Sequence, residues 1–243
     1  MTELPLLSVR QLSIHFKTED GLFHAVRDLS FNVHKGRITA IVGESGSGKS
    51  VTALSVLKLL PTPPADYSQG EILFSDDGRS AVDLLKLSEQ EIRKLRGNRI
   101  SMIFQEPMTS LNPLMTCGRQ VAESIVLHRH VNYKEAIAFT TELFGQVQLP
   151  DPAGMLKRYP HELSGGQKQR VMIAMAMSCE PALLIADEPT TALDVTVQKN
   201  ILALIRNIQQ ERDMGVIFIT HDLGLVSEIA DHVVVMYKGS IVE

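Results

Sequence analysis

Cysteine is scarce in this sequence: Cys117 and Cys179 are the only two among 243 residues. They lie far apart and match no CxxC or Cys/His ligand spacing, which argues against a disulfide scaffold or a zinc site and fits reduced thiols. No run approaches the roughly 20 apolar residues needed to span a bilayer, because charge or glycine interrupts each long apolar stretch. Any membrane association is therefore expected to come through a partner. The N-terminus, MTELPLLSVRQ, lacks a basic segment followed by an apolar core, so it does not read as a secretory leader and the chain is expected in the cytoplasm. An excess of one charge is also missing. The formal net charge is −4 with the signs interspersed, which gives no basis for general nucleic-acid binding. Internal repeats and low-complexity tracts are absent as well.

What is present is enough apolar material for a substantial core: 44% of residues are apolar and 21% charged, a balance that fits one α/β domain. Short apolar or β-branched runs predict strands at Ile38–Val42, Ile100–Phe104, Leu183–Asp187, Val216–Thr220 and Val233–Met236. Helical periodicity predicts Lys49–Leu60 and Val195–Gln210, so buried strands alternate with helices and imply a largely parallel sheet. The N-terminal third reads differently. Leu7–Phe16, Ala25–Val33 and Gly70–Phe74 are strand-like segments joined by Gly, Asp and Lys turns, which predicts an antiparallel β-subdomain without intervening helices. A helical insertion is expected at about 106–165, mostly helical from Thr116 to Leu163, with Val121, Ile125, Ala136, Ile137, Leu143 and Phe144 as core and Pro150, Pro152 and Pro160 as breakers. Pro61-Thr62-Pro63-Pro64 is expected to end a helix and turn the chain.

Three local patterns carry chemistry. Gly43-Glu44-Ser45-Gly46-Ser47-Gly48-Lys49-Ser50 satisfies the P-loop pattern and lies between a predicted strand and a predicted helix. Its glycines let backbone N–H groups and a helix N-terminus face phosphate, Lys49 adds a positive charge, and Ser50 adds an oxygen for Mg²⁺. Leu163-Ser164-Gly165-Gly166-Gln167 opens a second helix; taken alone it is a serine N-cap with permissive glycines, yet it leaves backbone donors free for an anion. In the third, the apolar run Leu183–Ala186 delivers Asp187 and Glu188 at its C-terminal end, the edge where open α/β sheets collect ligands. There Asp187 is placed to hold Mg²⁺ and Glu188 to polarise an attacking water.

In this order and at these separations the three motifs resemble the ATPase subunits of ABC transporters along essentially the whole chain. The resemblance implies the P-loop NTPase core of that fold, with ATP and Mg²⁺ as ligands. It assigns Gly43–Ser50 as Walker A, Leu163–Gln167 as the signature, Ala182–Asp187 as Walker B, Glu188 as catalytic carboxylate and Ala192-Leu193-Asp194 as the D-loop. Gln105 resembles the Q-loop glutamine that touches Mg²⁺ and water, and His221 the switch histidine. An aromatic near the end of the first strands stacks on adenine in this family, and Phe16 is the first choice here, Phe23 the second. Phe104-Gln105-Glu106-Pro107-Met108-Thr109-Ser110-Leu111-Asn112-Pro113 and Thr190–Gln198 resemble the peptide/nickel importer branch, which includes dipeptide, oligopeptide, glutathione and microcin C-type systems. The stretch after Gln105 would then receive a membrane partner.

The implied partners are a second ATPase domain (homodimer, heterodimer or fused half), integral membrane permease subunits and, indirectly, a periplasmic or extracellular solute-binding protein. The implied location is the cytoplasmic face of the membrane, as a peripheral subunit. The chain stops at Glu243, where family members ordinarily continue, so a truncated subunit or the first half of a tandem chain is expected. A soluble ABC-type ATPase acting on DNA or ribosomes explains the motifs equally well. Against it, the 105–163 interval has neither a heptad coiled coil nor zinc-ligand cysteines, and basic bias is lacking. A small-molecule P-loop kinase would leave Leu163–Gln167 and Asp194 without work.

Overall fold

Apolar strands buried on both faces and strands buried on one face sort into two different sheets. The computed structural model describes residues 4–19, 21–105, 110–191 and 193–243. Strands β1 (Leu7–Thr18), β2 (Gly21–Val33), β4 (Ala65–Phe74) and β5 (Val82–Asp83) form an antiparallel sheet in the order β2-β1-β4-β5. Strands β3 (Ile38–Val42), β6 (Ile100–Ile103), β7 (Leu183–Asp187), β8 (Gly215–Thr220), β9 (His232–Tyr237) and β10 (Ser240–Ile241) form the second, in the order β10-β9-β3-β8-β7-β6. All of its pairings are parallel except β10 with β9. Every residue of β3, β7 and β8 is buried, as expected of a parallel sheet covered on both sides. Along β2, by contrast, burial alternates from Leu29 to Val33, the mark of a sheet with one wet face.

The side-chain alternation of the central strands shows how the layers stack. Ile217 and Ile219 of β8, with Leu183 and Ile185 of β7, join the core of the antiparallel sheet and α1 (Lys49–Val56). Their neighbours Val216, Phe218, Leu184 and Ala186 join the opposite core, with the helices on the other side. Those helices are α3 (Cys117–Arg129), α4 (Tyr133–Gln146), α5 (Pro152–Met155), α6 (Gly165–Met177) and α7 (Val195–Arg212); α8 (Leu223–Ile229) follows β8. Val121, Ile125, Ala136, Leu143 and Phe144 are buried in that second core, and Ile137 packs against it. Cys117 and Cys179 are buried free thiols, and burial pushes the Cys117 thiol up to about 11. Among the described residues no helix is long and apolar enough to cross a membrane.

Several expectations are corrected. The first helix ends at Val56, not Leu60, because Lys58 turns into the left-handed region (φ +49°) and donates to the carbonyls of Leu85 and Leu87. Strand β6 stops at Ile103 and leaves Phe104 exposed. The N-terminal third is not free of helices: β3 and α1 intervene before the chain returns in β4 to pair with β1, Leu7 opposite Phe74. Between Phe74 and Ile100 the structure adds a 3-10 turn at Leu84–Lys86 and helix α2 (Glu89–Leu95). That helix opens with a capping box in which Ser88 and Glu91 bond each other's backbone.

Candidate functional site

Parallel register decides which loops meet. Val42 pairs with Thr220, Asp187 with Ile219, and Ile103 with Ala186, so four strands end at one edge. Gly43, His221, Glu188 and Gln105 therefore leave the sheet side by side, at the carboxyl edge where open α/β sheets bind ligands.

The P-loop closes this edge. Gly48 caps α1 with φ +100°, and a Cβ there would stand 2.5 Å from the carbonyl oxygen of Ala25, so the close approach of β2 requires glycine. Lys49 folds back across the loop, its Nζ donating to the carbonyls of Gly43 (2.7 Å) and Glu44 (2.8 Å). Burial lowers its pKa, against the opposing pull of Glu188 and Asp187. Ser47 is buried and its hydroxyl has no hydrogen-bond partner within the described protein. Ser45, Gly46, Gly48, Lys49 and Ser50 line a cavity of about 230 Å³ that Phe23, Gln105 and Glu188 also border. A larger cavity of about 680 Å³ adjoins it through Ser45, Gln105 and Glu188, and its walls include Gly43, Thr191, His221 and Leu223.

The acidic pair at the end of β7 divides its work. The Asp187 side chain is buried and accepts from Ser50 Oγ at 3.1 Å. Burial raises its pKa first, and the Ser50 bond and Lys49 pull it back. Glu188, by contrast, takes a left-handed backbone (φ +45°), and it lines both cavities. Both of its oxygens are held there. Oε2 accepts from Gln105 Nε2 (3.1 Å) and Thr191 Oγ1 (3.0 Å), and Oε1 lies 3.2 Å from His221 Nδ1.

The oxygen donors suit a small hard cation. Ser50 and Asp187 are adjacent, the first half-buried and the second buried, but the described residues contain no cluster of three acidic, histidine or cysteine ligands that could hold a metal alone. Mg²⁺ is commonly bound in this way, through one carboxylate with phosphate and water oxygens completing the octahedron. In this structure the Gln105 amide turns to Glu188, although Gln105 and Ser50 line the same cavity.

Two expectations divide at this point. Phe16 packs against the core of the antiparallel sheet and does not line the cleft, whereas its cross-strand partner Phe23, 58% exposed, does. Phe23 is thus the aromatic in reach of a ligand at the P-loop. The signature segment stands apart: none of Ser164, Gly165, Gly166 and Gln167 lines either cavity. Ser164 and Gln167 instead form a reciprocal capping box at the start of α6. Asp194 caps α7, accepting from the Val197 amide, while Glu106–Thr109 and Ala192 lie outside the described residues. The sequence reading missed Thr191, although a hydroxyl three residues after Glu188, with Pro189 between, is a turn signal.

Known proteins resemble this chain in sequence and in fold. The model of the ABC transporter family matches residues 26–191. The glutathione import ATP-binding protein GsiA of Salmonella choleraesuis is 54% identical over 238 residues, and that of Escherichia coli O1:K1 / APEC 53%. Each alignment covers 98% of this chain and 38% of the relative, so the chain spans well under half the length of these curated proteins. Among solved structures, the dimeric ATP-binding cassette MJ0796 bound to ADP and Pi superposes with a TM-score of 0.85 at 25% identity, covering 98% of this chain and 97% of that one. The cbiO1 protein of Clostridium perfringens, part of the ABC transporter complex cbiONQ, gives 0.80 at 28% identity over 99% of this chain and 88% of its own. With a family model spanning most of its length, a P-loop beneath one sheet edge and a clasped glutamate beside it, the chain belongs to the ABC transporter family.

Proposed function

We propose that this chain is the ATP-binding and ATP-hydrolysing cassette of an importer for glutathione or related peptides, working as a peripheral subunit on the cytoplasmic face of a membrane. The observation that carries the ATPase reading is the convergence of Gln105, His221 and Glu188 at the mouth of the P-loop cavity. The glutathione importers that resemble the chain support the solute class.

Phosphoryl transfer needs positioning and charge stabilisation more than covalent chemistry, and the residues divide along those lines. Backbone N–H groups of Ser45–Ser50 cradle the β- and γ-phosphates at the start of α1, and Lys49 exchanges its two carbonyl partners for phosphate oxygens. Phe23 offers a face to the adenine ring. Ser50 and Asp187 would hold Mg²⁺, with Gln105 close by; the ion supplies charge neutralisation between the phosphates. Glu188 orients and polarises the attacking water, and His221 steadies the transferred group.

Ser164, Gly165, Gly166 and Gln167 are remote from the cavity of their own chain, so they are assigned to a nucleotide held by a second cassette. The dimeric form of the structural relative supports that pairing. Closure of such a pair would be passed to membrane permease subunits, with a solute-binding protein acting upstream. Contacts that ATP makes only in the closed pair supply the differential affinity a transport cycle requires.

The decisive experiment replaces Glu188 by Gln in the full-length protein. ATP binding is expected to persist while turnover falls at least about 100-fold and an ATP-bound dimer accumulates on size-exclusion chromatography. Hydrolysis at the wild-type rate would overturn the assignment of Glu188.

A further inference from the structure

The segment after Glu188 folds into a tight turn that does more than reverse the chain. The Thr191 amide donates to the carbonyl of Glu188 (3.2 Å), and Pro189 occupies the second position of the turn, where its fixed φ is preorganised. The same closure delivers the Thr191 hydroxyl to Glu188 Oε2 at 3.0 Å, on the oxygen that also accepts from Gln105. Thr191 also belongs to the wall of the larger cavity, with His221 and Gln105. Its partner is a carboxylate on a left-handed backbone, whose direction the main chain alone does not fix. A charge-assisted hydrogen bond from a hydroxyl locked by a turn removes that freedom.

We propose that Thr191 is a positioning residue for ATP hydrolysis: its hydroxyl fixes one oxygen of Glu188 so that the other faces the attacking water. Gln105 and His221 approach from other loops, and His221 is largely exposed, so both can move as the site closes. Thr191 is carried in the same turn as Glu188 and keeps its hold throughout. The inference rests on the reading of Glu188 as the catalytic carboxylate.

The test uses the full-length assembled protein with three variants: Thr191→Val, Thr191→Ser and Glu188→Gln. Thr191 is exposed, so the isosteric valine opens no cavity, and an unchanged Tm is expected. Thr191→Val is expected to lower kcat about 10-fold at unchanged KM for ATP, and Thr191→Ser to keep kcat within about 2-fold. In the Glu188→Gln background, Thr191→Val is expected to add no further loss. Wild-type kcat in Thr191→Val, beside an inactive Glu188→Gln, would overturn this inference alone. Equal losses in the valine and serine variants would do the same. Full activity in Glu188→Gln would instead overturn the reading beneath it.

Discussion

Glu188 combines two costs at one position. Its backbone sits at φ +45°, a region that disfavours any residue with a Cβ by about 1–2 kcal/mol, and its carboxylate is largely enclosed, with only 13% of the side chain exposed. Part of the compensation is visible in Gln105, Thr191 and His221, which hold the carboxylate, and in the Glu188 amide, which donates to Ile219 at 3.0 Å. The strain and the side-chain bonds can be separated by two substitutions that remove the same carboxylate. Glu188→Ala keeps the Cβ, while Glu188→Gly releases it. The glycine variant is therefore expected to be the more stable by about 1 kcal/mol, or roughly 2–4 °C in Tm, by calorimetry. Equal melting temperatures would mean that the turn, and not the residue, carries the strain.

At the scale of elements, the signature turn meets the start of α7 at Gly166, where a side chain would have to displace Val197. A Cβ on Gly166 would lie 2.8 Å from Val197 Cγ1, and one on Gly165 would touch Leu193 at 3.5 Å. Gly166→Leu thus pushes on the start of α7 and blocks backbone donors at the start of α6, while α1 packs on the opposite face of the six-stranded sheet. The expected result is unchanged equilibrium binding of ATP with hydrolysis lost by roughly 100-fold, the scale of removing a transition-state donor. Loss of binding by the isolated cassette would argue against a signature that serves a second copy. The elements themselves were unequally legible. β3, β7 and β8 could be read because their apolar runs are buried on both faces, whereas α2 was missed because Ile92 is its one buried side chain and its period is weak. The first helix was drawn too long because the apolar residues Leu57, Leu59 and Leu60 continue past the point where Lys58 reaches across to Leu85 and Leu87. Phe16 and Phe23 are cross-strand partners in one hairpin, so composition and order could not say which of them faces the cleft. Gln105, Glu188 and His221 are separated by long stretches of sequence, and only strand register puts them on one edge.

For the whole molecule, the six-stranded sheet is the shared wall of two cores, with alternate residues of β7 and β8 committed to opposite sides. The proposed nucleotide site lies on the edge of that wall and draws on β3, β6, β7 and β8 through the loops that follow them. A ligand bound there is held by both halves of the fold, so its binding free energy should appear as global stability. At a free concentration of about 100 times Kd the gain is about 2.7 kcal/mol, which for a chain of this size corresponds to a Tm increase of roughly 5–11 °C. Lys49 separates this linkage from the intrinsic stability of the fold. Its charge is desolvated, its pKa is lowered by burial, and without phosphate its ammonium is satisfied by two loop carbonyls. Lys49→Ala removes a desolvated ammonium but also the positive charge facing Asp187 and Glu188, so the shift in Tm on adding nucleotide, and not the Tm of the nucleotide-free variant, isolates its role. In the Glu188→Gln background, where turnover does not deplete the ligand, Mg·ATP is expected to raise the Tm by the amount above with Lys49 present and by less than about 2 °C with alanine in its place. An undiminished shift in the alanine variant would show that the ammonium does not bind phosphate and that α1 and the loop amides hold the nucleotide alone.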